Sequence, residues 1–292
     1  MTSFPSYGPL LDALAGVTWP ARRSSGTGAA GSHPSRLRGL TAEFTEYRPY
    51  RQGDDARRLD WKLLARTDRA FLRVTDDHAI RPTLLLLDAS ASLAFPELTN
   101  AKWVQACRLA VGLAAVARSD GDPVGLIIPG PDGVLRLAPR AHRLAIAEIA
   151  RALNDTSPAG SASLVAGMEG LRPGSRLVII SDFLAEEEAL LARARQLIVT
   201  GVEVFALHVV AEEERVPPDV TRLAVDPESP LRRTLHDEVR DHYMTTYATW
   251  RSALADSWRR AGAEYSEVRA EEDAAPVIRR LVRGTTVTEK SW

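Results

Sequence analysis

Cysteine is nearly absent from the chain, which contains a single residue of this type, Cys107, among its 292 residues. One cysteine cannot form an internal disulfide, and no combination of cysteine and histidine has the spacing of a zinc site. Cys107 shares one helical face with Trp103 and Ala110, so we interpret it as a core residue. The sequence therefore excludes a disulfide-stabilised scaffold and a cysteine-ligated zinc protein.

Long apolar runs are also missing. No segment approaches the roughly 18 apolar residues that span a bilayer as a helix. The first residues lack the order of charged, apolar and small residues that marks a signal peptide. We therefore expect a cytoplasmic protein with no direct membrane insertion.

Lysine is scarce, since it occurs only at Lys62, Lys102 and Lys290, and the formal net charge is −1. So balanced a charge creates no overall field that would attract nucleic acid or an anionic membrane. We therefore expect no nucleic-acid partner. The 45% apolar and 26% charged residues are ordinary for a globular protein, and the length suits one large or two modest domains.

The most informative stretch is an unbroken apolar run, Leu84–Leu87, that ends abruptly in Asp88, Ser90 and Ser92. A short apolar run of this kind predicts a strand that is buried on both faces of a parallel sheet. Ligands of open α/β sheets bind just beyond the carboxyl ends of such strands. The three polar side chains supply only oxygen, which hard divalent cations such as Mg²⁺ prefer.

A second buried strand, Arg176–Ile180, ends in Ser181 and Asp182. Strand and helix patterns alternate beyond residue 82, which predicts an α/β fold with a mainly parallel sheet covered on both faces by helices. If the two strands are neighbours, Asp88 and Asp182 meet at one edge of the sheet and could share Mg²⁺. The alternative is purely structural, with Ser90 capping the following turn and Asp182 capping a helix.

Residues 36–82, upstream of the predicted sheet, are dense in charged and aromatic residues, and their charges alternate in sign around positions 53–62. The mixed signs argue against a stripe that follows nucleic-acid phosphates. We interpret this segment as a salt-bridged cap, with a partner-binding surface and a catalytic site as the alternatives. The division we predict is a flexible segment at 1–35, a cap region at 36–82 and the α/β domain at 83–285. The candidate partner-binding residues are Arg48, Arg51, Asp54, Asp55 and Arg58.

Hydrolase motifs are incomplete. A phosphatase of the haloacid dehalogenase type needs a second carboxylate two residues after Asp88, where this chain has Ser90. Neither a G-x-S-x-G elbow nor a P-loop occurs. A metal-dependent hydrolase built on Asp54, Asp55 and Asp60 stays open as the least favoured interpretation.

Asp88-x-Ser90-x-Ser92, together with Ser181-Asp182, resembles the metal-ion-dependent adhesion site of von Willebrand factor A domains. The chain further resembles a bacterial family, domain of unknown function 58, over roughly residues 31–270. The resemblance is carried by Glu43-Phe44, Arg48-x-Tyr50-x-x-Gly53-Asp54-Asp55-x-Arg57-x-Leu59-Asp60-Trp61-Lys62-x-x-Ala65-Arg66, Gly31-x-His33, Gly39, Asp226-Pro227-Glu228 and Asp237-Glu238 with Tyr243. The sequence looks like the short form that lacks N-terminal membrane helices.

The resemblance implies a Rossmann-like von Willebrand A-type domain with Mg²⁺, or alternatively Mn²⁺ or Ca²⁺, at the carboxyl edge of the sheet. Ser90 and Ser92 would bind the ion directly, and Asp88 and Asp182 through water. The family pattern adds a threonine from a loop, but this chain has Ala162 in that position, and a one-residue shift would bring in Ser161 or Ser163.

Members of this family are often encoded beside MoxR-type AAA+ ATPases. The resemblance therefore implies a non-enzymatic adaptor or co-chaperone that helps such an ATPase act on client proteins. Our first hypothesis is an adaptor that binds a partner carboxylate through the metal. The second is an interaction module with a degenerate metal site, which binds its partner through residues 44–66.

Overall fold

The computed structural model describes most of the chain and divides it into two compact units. One unit comprises residues 21–81, and the other joins residues 1–20 to residues 82–292. The described residues are 7–20, 30–34, 44–50, 59–67, 69–75, 78–131, 133–161, 163–185, 187–219, 223–225, 232–234 and 237–283.

Helices and strands alternate through the larger unit. In chain order the elements of both units are α1 (Gly8–Ala13), β1 (Ala30–Pro34), β2 (Phe44–Pro49), α2 (Trp61–Thr67), β3 (Phe71–Thr75), β4 (His78–Ala79), β5 (Thr83–Leu87), α3 (Ala101–Ser119), β6 (Val124–Gly130), β7 (Gly133–Arg140), α4 (Ala145–Asn154), α5 (Leu164–Gly167), β8 (Arg176–Ser181), α6 (Glu187–Val199), β9 (Glu203–Val210), α7 (Glu212–Arg215), β10 (Leu223–Val225), β11 (Arg232–Thr234), α8 (Asp237–Arg260), β12 (Glu264–Arg269) and α9 (Ala274–Arg283). A short 3₁₀ helix, Ala91–Ala94, follows β5. No helix in the described ranges is long and apolar enough to cross a membrane.

The larger unit is built on a six-stranded sheet with the order β12-β9-β8-β5-β6-β7. Its strands are parallel except for the edge strand β7, which pairs antiparallel with β6. The apolar run in β8 is buried throughout, and so is the one in β5 except for the partly buried Leu84, as expected for strands covered on both faces. The predicted Rossmann-like α/β class with a mainly parallel sheet is confirmed.

Helices cover both faces of this sheet and divide the core into two layers. Leu85 and Leu87 point into the layer formed with α1, α3, α4 and α9, whereas Leu86 points into the layer formed with α5, α6 and α8. The alternation follows from the two-residue period of a strand. Because both faces are covered, the ends of the strands are the part of this sheet that is open to a site.

The strand order reverses between β5 and β8, the place where open α/β sheets leave a crevice. The two strands pair in parallel, with Leu87 opposite Ile180, and the Asp88 N–H donates to the Ile180 carbonyl at 2.9 Å. The residues that follow these strands therefore emerge side by side at the carboxyl edge.

The N-terminal residues belong to the larger unit, which differs from the predicted flexible segment at 1–35. Leu14 and Trp19 are buried in its core, and the Trp19 N–H donates to Asp120. The Arg176 guanidinium lies 3.9 Å from the centre of the Trp19 ring. An aromatic ring stacked on a buried cation ties residues 7–20 to the sheet, a long-range contact that local composition does not indicate.

The smaller unit contains two antiparallel strand pairs, β1 with β4 and β2 with β3. Its helix α2 begins at Trp61. Asp60 fixes this start, because its Oδ1 accepts the Leu63 N–H at 2.9 Å, as a residue that precedes the first helical turn does. Trp61 itself is 63% exposed.

Candidate functional site

Asp88 lies directly after β5 and is held by hydrogen bonds from both neighbouring strand ends. Its Oδ1 accepts the Ser90 N–H at 2.8 Å, and its Oδ2 accepts the Ser181 hydroxyl at 2.6 Å. Ser181 Oγ in turn accepts the Phe183 N–H at 2.8 Å. The carboxylate therefore joins the ends of β5 and β8 into one rigid edge.

The hydroxyl groups of Ser90 and Ser92 face each other at 3.0 Å, and both residues are buried. Ser90 immediately precedes the 3₁₀ helix, but its side chain makes no capping hydrogen bond there. The structural alternative for Ser90, a cap on the following turn, is therefore wrong. The loop around Gly160 lies alongside, since the Gly160 carbonyl accepts the Ala91 N–H at 2.8 Å.

Asp182 lies directly after β8 and forms an ion pair with Lys102 of α3. Lys102 Nζ donates to Asp182 Oδ2 at 2.6 Å and to Glu214 Oε1 of α7 at 2.7 Å. The lysine side chain is fully buried, and those of Asp182 and Glu214 are 3% and 15% exposed. Asp182 Oδ1 accepts the Leu184 N–H at 3.4 Å, whereas α6 begins only at Glu187. Asp182 is therefore an ion-paired residue rather than the cap of that helix.

The charges at this edge act on one another because water is excluded. Burial raises the pKa of Asp88 to about 6, the charge of Asp182 adds to the shift, and the hydrogen bond from Ser181 opposes it. Burial alone would lower the pKa of Lys102, but Asp182 and Glu214 outweigh it and hold the pKa above its ordinary value. Both acids thus favour the charged form of Lys102.

His208 of β9 is a buried residue next to this cluster that the sequence analysis did not select. It pairs with Ser181 across the sheet, and its Nδ1 lies 2.6 Å from the Tyr265 hydroxyl. Its Nε2 is buried and has no hydrogen-bond partner within the described residues. Burial lowers the pKa of the imidazole to about 3, with the charge of Asp182 opposing and those of Lys102 and Arg251 reinforcing the shift. The ring is therefore neutral.

The remaining predicted residues lie elsewhere. Ser163 occupies the position before α5 and is partly buried, whereas Ala162 lies outside the described residues. Arg48 lies on β2, opposite Leu72 of β3. Four of the candidate partner-binding residues also fall outside the described ranges: Arg51, Asp54, Asp55 and Arg58.

The donor set can be compared with the needs of Mg²⁺, whose adjacent oxygen ligands stand about 3 Å apart in an octahedron of about 2.1 Å bonds. The 3.0 Å separation of the Ser90 and Ser92 hydroxyls matches that spacing. Asp182 does not match, because its carboxylate already neutralises a buried ammonium. No three Asp, Glu, His or Cys side chains converge as a metal-binding group in the described part of the chain. The residues present therefore do not fit the complete adhesion site.

Lys102 and Glu214 were missed by the sequence-based search for metal ligands. Lys102 lies 80 residues from Asp182 in the sequence, and Glu214 lies 112 residues from Lys102. The one signal was the scarcity of lysine, which makes each of the three lysines of this chain unusual.

Comparison with known proteins gives a family and distant relatives. The family model described as "Protein of unknown function DUF58" matches residues 46–253. The uncharacterized proteins Rv1480 of Mycobacterium tuberculosis (strain ATCC 25618 / H37Rv) and Mb1516 of Mycobacterium bovis are each 29% identical over 262 residues, which cover 86% of this chain and 82% of theirs.

Solved structures show lower similarity. The conserved hypothetical protein BatB from Bacteroides thetaiotaomicron is 17% identical with a TM-score of 0.44, and the match covers 68% of this chain and 95% of BatB. The SpRpn10 VWA domain is 12% identical with a TM-score of 0.38, and the match covers 68% of this chain and 94% of that domain.

Proposed function

The chain belongs to the DUF58 family, and we propose that it is a non-enzymatic protein-interaction module that contacts its partner through loops at the carboxyl edge of its sheet. The observation that carries this proposal is the state of the polar cluster at that edge. Asp88, Ser90, Ser92 and Asp182 are buried and bonded to one another or to Lys102. Such a cluster holds the loops in place, and its buried polar groups are not exposed to a substrate.

The chemistry of the cluster supports a non-enzymatic role. A serine nucleophile needs a base within hydrogen-bond distance. His208, the histidine nearest to Ser181 in the strand pairing, directs its Nδ1 to Tyr265 instead. Of the hydrolase candidates, Asp60 caps α2. Within the described residues, the acids and hydroxyls at the sheet edge have structural partners.

The loops that leave this cluster expose large apolar side chains. Leu98, on the loop between the 3₁₀ helix and α3, is 98% exposed, and Leu184, after β8, is 53% exposed. Single exposed apolar residues are common on protein surfaces. These two follow the neighbouring strands β5 and β8, so one partner surface could cover both, and burial of leucine is the usual source of interface energy.

The partner that we propose is a MoxR-type AAA+ ATPase, with the chain serving as its adaptor for client proteins. Family membership supports this choice. The direct test is isothermal titration of the chain with the purified MoxR-type ATPase of the same genome. We expect Leu98→Asp and Leu184→Asp to weaken binding at least tenfold, because each would bury a carboxylate against the partner.

The matched control is Val199→Asp. Val199 is 87% exposed and ends α6 just before β9 begins, so it lies at the opposite, amino end of the strands. It should bind as the unmodified chain does. Equal affinity for all variants would remove the carboxyl edge from the interface.

A second surface is favoured by the exposure of Trp61 in the smaller unit. Tryptophan is enriched in interfaces, and Trp61 stands beside the exposed Lys62 on α2. If the partner binds residues 44–66 instead, Trp61→Ala will abolish titration heat while Leu184→Asp leaves it unchanged. Because Trp61 is exposed, its replacement should leave the fold intact.

A further inference from the structure

We infer that Lys102 is the resident cation of the carboxyl-edge cluster, so that an ammonium ion built into the chain takes the place of a divalent metal. The inference rests on the ion-pair geometry, on the residue type at position 102 and on the repulsion that a buried ammonium exerts on a second cation. It concerns the cluster itself, so it holds whichever partner the module binds.

The ammonium lies against Asp182, a residue that the family pattern would place next to a metal ion through water. Asp182 Oδ2 lies 2.6 Å from Lys102 Nζ, within the range of a strong charge-assisted hydrogen bond. Glu214 completes the coordination at 2.7 Å, and its other oxygen, Oε2, accepts the Ala211 N–H at 2.9 Å. The nitrogen therefore joins three elements, as a structural metal ion would: the end of β8, the start of α3 and α7.

The choice of lysine at this position is itself informative. Of the 37 lysine and arginine residues, 34 are arginine, and Lys102 is the one lysine that is buried in the part of the chain that the structure describes. An ammonium is a compact charge with three donors, whereas a guanidinium is a broad planar fork. Lys102 Nζ lies 2.6 Å from Asp182 and 2.7 Å from Glu214 in a fully enclosed space, which suits the compact ammonium.

Repulsion from the buried ammonium argues against a second cation. Lys102 is ion-paired with Asp182, and both are almost fully desolvated. A divalent ion held by Ser90 and Ser92 would share Asp182 with a buried ammonium, and repulsion between two cations is strong where water is excluded. The paired hydroxyls of Ser90 and Ser92 instead satisfy one another at 3.0 Å.

The test is Mn²⁺ binding followed by the electron paramagnetic resonance signal of free Mn²⁺, together with thermal unfolding. The unmodified chain should bind no Mn²⁺ at this edge, and neither chelator nor millimolar Mg²⁺ should move its Tm. Lys102→Met keeps the length of the side chain and removes the charge. Its Tm should fall, and added Mn²⁺ should raise it again through one bound ion per chain.

The control is the double variant Lys102→Met with Asp182→Asn, in which both members of the pair lose their charge. It should be more stable than Lys102→Met alone and should show no response to Mn²⁺. If Lys102→Met does not fold, Mn²⁺ binding by the unmodified chain still tests the inference.

Stoichiometric Mn²⁺ binding by the unmodified chain, lost in Ser90→Ala, would overturn the inference. So would a folded Lys102→Met variant with no response to Mn²⁺. The first of these results would leave the interaction module standing and make it metal-dependent. If the unmodified chain does not bind the ATPase, only the proposed function is refuted.

Discussion

Lys102 and Asp182 lie 80 residues apart in the sequence, yet their charged groups meet at 2.6 Å inside the protein. The pair connects the first turn of α3 to the end of β8, beside the point where the strand order reverses. A buried ion pair is costly to break, because removal of one partner leaves the other charged and without water. The carboxyl edge therefore depends on this contact for its shape.

The first prediction concerns the coupling of Lys102 with Glu214. We expect Lys102→Met and Glu214→Gln each to lower the free energy of unfolding, the lysine change by about 3–5 kcal/mol because it isolates two buried acids. The double variant should lose less than the sum, with a coupling of about 1–3 kcal/mol in urea unfolding.

The exposed pair Arg259–Asp256 is the control for this cycle, since its side chains are 60% and 62% exposed. Its coupling should stay below about 1 kcal/mol. Equal coupling in the two cycles would mean that the Lys102 contact is no stronger than a surface pair.

The second prediction follows from His208, whose pKa burial lowers to about 3. The unfolded chain takes up the imidazole proton near pH 6.5, but the folded chain does not. The contribution of the neutral His208 to the free energy of unfolding is therefore fully present above about pH 6.5 and is lost as the pH falls towards 3.

Against His208→Gln, the unmodified chain should lose about 2 kcal/mol of unfolding free energy between pH 7 and pH 5. Tyr265→Phe removes the partner of Nδ1 but keeps the imidazole, so it should retain the pH dependence. Urea titrations at the two pH values measure all three chains. Parallel losses in His208→Gln and the unmodified chain would contradict a neutral buried ring.

The third prediction concerns the close approach of β6 and β7 at Gly125. A Cβ added there would lie 2.6 Å from the Leu137 carbonyl oxygen, which is backbone and cannot rotate away. Gly125→Ala should destabilise the protein by about 1–3 kcal/mol. Gly130 lies on the same strand, and its added Cβ would meet only the Gly133 carbonyl oxygen at 3.6 Å. Gly130→Ala should therefore be tolerated, and equal thermal shifts for the two variants would refute the geometry.

The fourth prediction compares two tryptophans. Trp19 is 1% exposed and packs on Phe205, with ring centres 5.2 Å apart, whereas Trp61 is 63% exposed. Trp19→Ala should cost about 3–5 kcal/mol, as large core truncations do. Trp61→Ala should change the free energy of unfolding by no more than about 0.5 kcal/mol. A small loss for Trp19→Ala would mean that residues 7–20 contribute little to the larger unit.

The fold could be predicted from the sequence because its signals are local. The apolar runs of β5 and β8 are unbroken and end in polar residues, so their burial and the positions of Asp88 and Asp182 follow from the pattern.

The ion pair could not be predicted, because nothing near Lys102 marks it as buried. Lysine side chains usually extend into solvent, and the partners of Lys102 lie far along the chain. Trp19 is a similar case, since its contact with Arg176 spans 157 residues. Long-range pairs of this kind are decided by the packing of the whole sheet.

The most direct test of the role of Lys102 is anomalous diffraction at the manganese edge from crystals grown in Mn²⁺. We predict no anomalous peak between the Ser90 and Ser92 hydroxyls, and Lys102 Nζ in contact with Asp182 and Glu214. A manganese ion bound to both serines, with the Lys102 side chain displaced from Asp182, would contradict the account.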